Sequence, residues 1–295
     1  MSPMRASTSS MSWPAGAIRG MPRPGRTSRA WRSPAPSARW AAGCTICTPA
    51  GASRRSRRAG GLAEVAIAAA DVTVEVPPDV PLATAAAAPL VVSTALLLLT
   101  DRARIRPGES VLMHSASGGI GSVVSQAAAA LGAGRRIGTV GRPDKLAAGL
   151  AAGWDEVFAR EAGLAEAVRQ AAPDGVDVIL DPVGTALLDL DLSIAAPGGR
   201  VVLFGNAAGG AQVPLPPAGR LIGGNVGVLG FSMSRLSATA PKAVASALAE
   251  GLEMIAAAQI RPDLTIVEPL ESVAAIHDLL AAGRGRGKYV TKVHG

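Results

Sequence analysis

Residues 111–145, VLMHSASGGIGSVVSQAAAALGAGRRIGTVGRPDK, decide the fold. A short apolar run over residues 110–114 is followed by a turn of small residues, Ser115-Ala116-Ser117-Gly118-Gly119-Ile120-Gly121. An Ala-rich segment then runs to about Leu131, and a second apolar run covers residues 137–140. The order predicts strand, glycine turn, helix, strand: one βαβ unit of the usual length.

Such a turn is suited to an anion. Glycine brings the backbone close to a ligand and tolerates positive φ. The free N–H groups at the helix start, with the helix dipole, favour a diphosphate. Against the dinucleotide pattern G-x-G-x-x-G, the chain reads Ala116-Ser117-Gly118-Gly119-Ile120-Gly121, with alanine at the first glycine position. The glycines alone also fit a turn that binds nothing; the flanking strand and helix favour the dinucleotide reading.

The end of the second strand selects the cofactor. A carboxylate there would hold a ribose 2′-hydroxyl and favour NAD. The chain has Val140-Gly141-Arg142 instead, followed by Lys145. Arg142 and Lys145 suit a 2′-phosphate, so NADP is the expected cofactor. Two other readings stay open: both are ordinary solvated charges, or Asp144 reaches the ribose.

Downstream the alternation continues. Helices are predicted over 143–152, 164–172 and 185–195, and strands over 156–159, 176–181, 200–204 and 226–231. Strands separated by helices of about ten residues imply a doubly wound parallel sheet, the Rossmann α/β class. Ligands bind at the carboxyl ends of such strands, which makes Gly205, Asn206, Phe231 and Ser232 candidates. A Gly- and Pro-rich loop is expected over 206–225. A long amphipathic helix over 242–258, a strand over 264–267, a helix over 273–282 and a strand over 288–293 close the chain. His114 reads as a packed, hydrogen-bonded strand residue before a general base. Asp181 reads as a turn former before an acid.

Before the βαβ unit, residues 62–68 and 72–76 are short β-type runs. The uncharged window 80–100 is long enough for a membrane span. Pro81, Pro89 and several hydroxyl residues favour a buried helix pair, and no membrane partner is expected. Arg102, Arg104 and Arg106 then mark a solvated link.

Charge is distributed unevenly. The net charge is +7, yet residues 1–60 hold eleven Arg and no Lys, Asp or Glu. Removing those eleven from +7 leaves −4 for residues 61–295. The first sixty residues lack hydrophobic periodicity and carry three of the four tryptophans, Trp13, Trp31 and Trp40. They fit a basic nucleic-acid arm, a transit peptide, a disordered tail, or a GC-rich gene read out of frame. The last is favoured, and no nucleic-acid partner is expected. Cys44 and Cys47 supply two of the four ligands that a structural zinc needs, so no metal site is expected. The absence of a disulfide framework fits the cytoplasm.

The ordered series SVLMHSASGGIGSV, IGTVGRPDK, GVDVILDPVG, APGGRVVLFG and GRGKYV resembles the zinc-independent quinone oxidoreductases of the medium-chain dehydrogenase/reductase superfamily. The resemblance runs from about Gly61 to Val293. It implies a GroES-like catalytic domain split around the Rossmann domain. Residues 61–100 and 236–295 would belong to the catalytic part and 101–235 to the nucleotide domain. Residues 1–60 do not resemble the family, although a shifted reading of residues 40–50 as GGRVHDLHAG is similar to its GDRV-type strand.

The resemblance also places Thr94 near the nicotinamide, with a threonine bonded to its own helix as the alternative. It puts Arg160 where relatives carry a tyrosine near the adenosine phosphate, and Lys288 near the cofactor phosphate, with an ordinary surface lysine as the alternative for Lys288. The implied activity is metal-independent hydride transfer from NADPH to a quinone or enone, by a cytoplasmic homodimer paired through strand six. A cofactor-binding remnant without turnover is the second reading, and a nucleic-acid binder acting through the Arg-rich arm is the third.

Overall fold

The computed structural model describes residues 69–207, 209 and 212–292. The Arg-rich segment, Cys44, Cys47 and the run 62–68 lie outside the described residues.

Six parallel strands form the main sheet: β1 (Val111–His114), β2 (Arg136–Val140), β3 (Glu156–Ala159), β4 (Val176–Asp181), β5 (Ala195–Leu203) and β6 (Gly227–Gly230). Their order is β3-β2-β1-β4-β5-β6, the doubly wound Rossmann order predicted from the alternation. All four residues of β1 are buried because helices cover both faces. Successive side chains alternate between those faces. Val111 and Met113 join one core cluster, while Leu112 joins the other with Ile137, Ile179 and Val201.

The first cluster is covered by α1 (Leu82–Leu96), α2 (Gly119–Ala130) and a long helix, Pro241–Ala256. Window 80–100 is therefore one helix rather than the expected pair. Pro89 sits inside it, and a π-helical stretch, Leu97–Arg102, extends it. The residues around Pro89 are mostly alanine, whose small side chains leave room where the ring displaces the preceding turn. By length and composition the 21 residues Leu82–Arg102 would cross a membrane, but 72% of the apolar window is buried inside the protein.

Helix α3 (Leu146–Ala151) packs against the first cluster through Leu146, while α4 (Leu164–Ala171) and α5 (Leu188–Ile194) cover the second on the opposite face. Two of these are shorter than expected, because Pro143–Lys145 and Thr185–Leu187 are 3-10 turns and Ala195 already belongs to β5. The expected loop 206–225 contains α6 (Ala218–Gly224), and α7 (Met233–Thr239) follows β6. The run 72–76 is not a strand: Val72 ends a 3-10 turn, and no described strand lies beside it. The two strands expected near the end of the chain are present, and β7 (Leu264–Val267) and β8 (Lys288–Thr291) form a separate parallel pair.

Arg200 joins β5 to the link before β1. Its two terminal nitrogens bond both Glu109 oxygens, at 2.8 and 2.5 Å, and its Nε donates to the Ala103 carbonyl at 2.6 Å. That guanidinium holds the Glu109 carboxyl below the usual range.

Candidate functional site

The turn 115–121 leaves β1 and enters α2 at the carboxyl edge of the sheet. Ser115 turns the chain with φ of 64°, and Gly118 donates to its carbonyl at 2.9 Å. Gly121 is required by packing: a Cβ there would lie 2.5 Å from the Ala116 carbonyl oxygen and 2.6 Å from that of Ser115. This is the close helix–strand approach that the third glycine of the dinucleotide pattern serves. Trp154 closes the turn from below, its Nε1 donating to the Ala116 carbonyl at 3.2 Å.

The first amide to enter the helix ladder is that of Ser122, bonded to Gly118 at 2.9 Å. The amides of Ile120 and Gly121 donate to nothing among the described residues, and Gly121 is buried. Unpaired donors at the start of a helix fit a diphosphate. The Ser117 hydroxyl makes no bond among the described residues.

Basic side chains gather beside the turn. Arg160 follows β3, its amide bonded to the Val140 carbonyl at 2.8 Å, and its guanidinium lies against Gly141 at the end of β2. Burial lowers its pKa from the usual arginine value. Lys145 donates from Nζ to the Gly285 carbonyl at 2.7 Å, and burial likewise lowers its pKa. Arg142 pairs with Asp144, at 2.7 Å from Nη2 and 3.1 Å from Nε. Asp144 is thus engaged by the arginine rather than aimed alone at a ribose. Gly287 donates to the Ser117 carbonyl at 3.0 Å, which sets Lys288 one residue from the turn.

Beneath this edge lies a buried polar group. His114 bonds Thr139 Oγ1 at 2.6 Å and Asp191 Oδ1 at 2.8 Å, with no side-chain exposure at His114 or Asp191. His114 is the packed residue that the sequence suggested. Asp181 forms the expected turn, its Oδ1 accepting from the amides of Val183 at 2.6 Å and Gly184 at 3.1 Å. Burial, then the neighbouring Asp191, pushes its pKa up to about 6.

Farther along the edge, a cavity of about 670 Å³ opens beyond β4, β5 and β6. Of the candidates at the strand ends, Gly205, Phe231 and Ser232 line it, whereas Asn206 is not among the lining residues and lies against Gly184. Thr94 is 3% exposed and does not line the cavity; its hydroxyl has no partner among the described residues, so the alternative reading, a bond to its own helix, is not made. The sequence reading missed Arg102, Gln212 and Arg235 in the lining. Arg102 is exposed, as expected of a solvated link, and is bonded to Asp101. No three His, Cys, Asp or Glu residues gather to hold a metal ion among the described residues.

Comparison with known proteins places this geometry in context. The zinc-binding dehydrogenase family profile matches residues 119–250. The chain is 31% identical to the quinone oxidoreductase of Sus scrofa over 232 residues, 78% of this chain and 68% of that protein. It is 35% identical to the spectinabilin polyketide synthase system protein NorB of Streptomyces orinoci over 234 residues, 79% of this chain but 10% of that protein. Among solved structures, the Escherichia coli quinone oxidoreductase complexed with NADPH superposes with a TM-score of 0.68 at 28% identity. That match covers 78% of this chain and 71% of that one.

Proposed function

The chain belongs to the quinone oxidoreductase family, and on that premise we propose that it transfers hydride from NADPH to a quinone or an enone. The observation that carries this reading is the pair of unpartnered amides, Ile120 and Gly121, at the start of a helix beside Arg160, Arg142 and Lys145. The amides would hold the diphosphate, and the cations the 2′-phosphate. Lys288 belongs to the same basic group by its place beside the turn.

When bound, the nicotinamide supplies the hydride, and the protein supplies orientation and a sheltered cleft. An acceptor lying against Phe204 and Phe231 in the cavity gains two electrons with that hydride and one proton from water. A quinone thereby becomes a hydroquinone, and NADP+ is left. The reading includes no metal. It also includes a homodimer: Ile222 and Leu229, 74% and 39% exposed, leave apolar surface at the β6 edge.

Isothermal titration with NADPH and NADH, followed by steady-state NADPH oxidation with 1,4-naphthoquinone, tests the proposal. Binding of NADPH in preference to NADH, with turnover, is expected. Binding without turnover would identify a cofactor-binding remnant instead.

A further inference from the structure

The cavity beyond β4–β6 carries a charge pattern that the hydride-transfer reading does not require. Arg235 and Arg102 both line it, beside the apolar Leu203, Phe204, Phe231 and Leu236. Among the described residues no carboxylate lines it, and no residue of the phosphate turn 116–121 reaches it. The two arginines therefore lie apart from the proposed diphosphate site.

Their surroundings differ. Asp101 Oδ2 accepts from Arg102 Nε at 2.8 Å and from Nη2 at 2.6 Å, leaving Nη1 unengaged. Arg235 is bonded through its main chain: its amide donates to Ser232 Oγ at 3.3 Å and its carbonyl accepts from Thr239 Oγ1 at 3.0 Å. Its guanidinium makes no hydrogen bond or ion pair among the described residues. The body of the chain, residues 61–295, carries −4, so an arginine without a carboxylate partner among the described residues, Arg235, runs against its prevailing sign, with Arg102 offering its remaining nitrogen beside it. A concave site of one charge raises the local concentration of the opposite ion. A guanidinium also offers paired donors matched to a carboxylate or sulfonate.

We propose that the acceptor bears an anionic group of the carboxylate type, held by Arg235 with Arg102 beside it, while its apolar body lies against Phe231 and Leu236. The proposal rests on the hydride-transfer reading above and narrows its substrate class. Neutral quinones would be poorer substrates than their anionic counterparts of similar reactivity.

The test uses the full chain with saturating NADPH. kcat/KM is measured for 1,4-naphthoquinone and for 1,4-naphthoquinone-2-sulfonate in the parent protein, Arg235→Gln, Arg235→Lys and Arg102→Gln. The ratio of sulfonated to neutral acceptor should fall about tenfold in Arg235→Gln, mainly through KM, as expected for one lost charge-assisted contact. Arg235→Lys should restore part of it, and Arg102→Gln should lower it less. In parallel, titration calorimetry follows naphthalene-2-sulfonate and 2-naphthol binding to the protein with NADP+. The sulfonate should bind more tightly than the naphthol and weaken in Arg235→Gln.

An unchanged acceptor ratio, or sulfonate binding indifferent to Arg235→Gln, would overturn the proposal. Absence of turnover with both acceptors would sink the hydride-transfer reading instead, and the calorimetry would still decide the anion site. Should Arg235→Gln not fold, added salt applied to the parent protein gives the same decision. The sulfonate advantage must shrink as the charges are screened, and one that survives refutes the site.

Discussion

The guanidinium of Arg160 occupies the space beside Gly141, where a Cβ on Gly141 would lie 2.8 Å from Arg160 Nη2. A cation therefore stands at the end of β2, where a carboxylate would otherwise select NAD. Arg160→Gln should weaken NADPH binding about tenfold, the loss of one charge-assisted contact to phosphate, and NADH binding much less. Titrating both cofactors into both proteins checks this. An equal loss for the two would show that Arg160 supports the strand end without reading the phosphate.

Gly121→Ala tests the turn. The added methyl meets two main-chain carbonyls, at 2.5 and 2.6 Å, and neither belongs to a flexible side chain. The helix start must shift, at a cost of about 1–3 kcal/mol. The shift carries the Ile120 and Gly121 amides with it, so NADPH affinity should fall along with the urea midpoint. Full NADPH affinity in a folded Gly121→Ala protein would remove the diphosphate from this turn.

Most of the sheet was legible because its strands are buried on both faces and read as continuous apolar runs, such as VDVILD for β4. Glycine spacing located the turn for a related reason: the collision at Gly121 is local and leaves its mark in adjacent residues. The short helices α6 and α7 left no such mark. Residues 218–224 contain three glycines, and neither helix is long enough to establish a period. Arg102, at the end of the stretch that extends α1, and Arg235, in the first turn of α7, share a cavity, and sequence spacing does not record that meeting. The contact of Gly287 with Ser117 is likewise purely tertiary. Arg142 was read correctly as a cation at the end of β2, but its pairing with Asp144 depends on rotamers that the sequence does not state.

His114 and Asp191 form a buried pair whose value shows when one partner is removed. Asp191 Oδ2 already lacks a hydrogen bond, so His114→Ala leaves both oxygens unsatisfied beside a new cavity. Breaking such a pair costs about 3–5 kcal/mol. Denaturant unfolding of His114→Ala, Asp191→Ala and the double variant should show strong coupling, with the double variant losing less than the sum. Additive losses would mean that the two residues act independently.

Asp181 predicts a pH dependence of stability. Its folded pKa, raised to about 6 from an ordinary 3.8, means that the native state holds the proton more tightly than the unfolded chain. The group's stabilising contribution is complete below about pH 4 and is lost as pH rises through 6, an effect on the order of 2–3 kcal/mol. Asp181→Asn keeps an oxygen for the Val183 and Gly184 amides while removing the titrating proton. Glu109, held low by Arg200, works in the opposite sense but is common to both proteins. The difference in unfolding free energy between Asp181→Asn and the parent should therefore rise in favour of the variant from about pH 4 to about pH 6.5 and then level off. Urea titrations at half-unit pH steps measure that difference directly. A flat difference across this window would show that the Asp181 carboxyl titrates alike in the folded and unfolded chains.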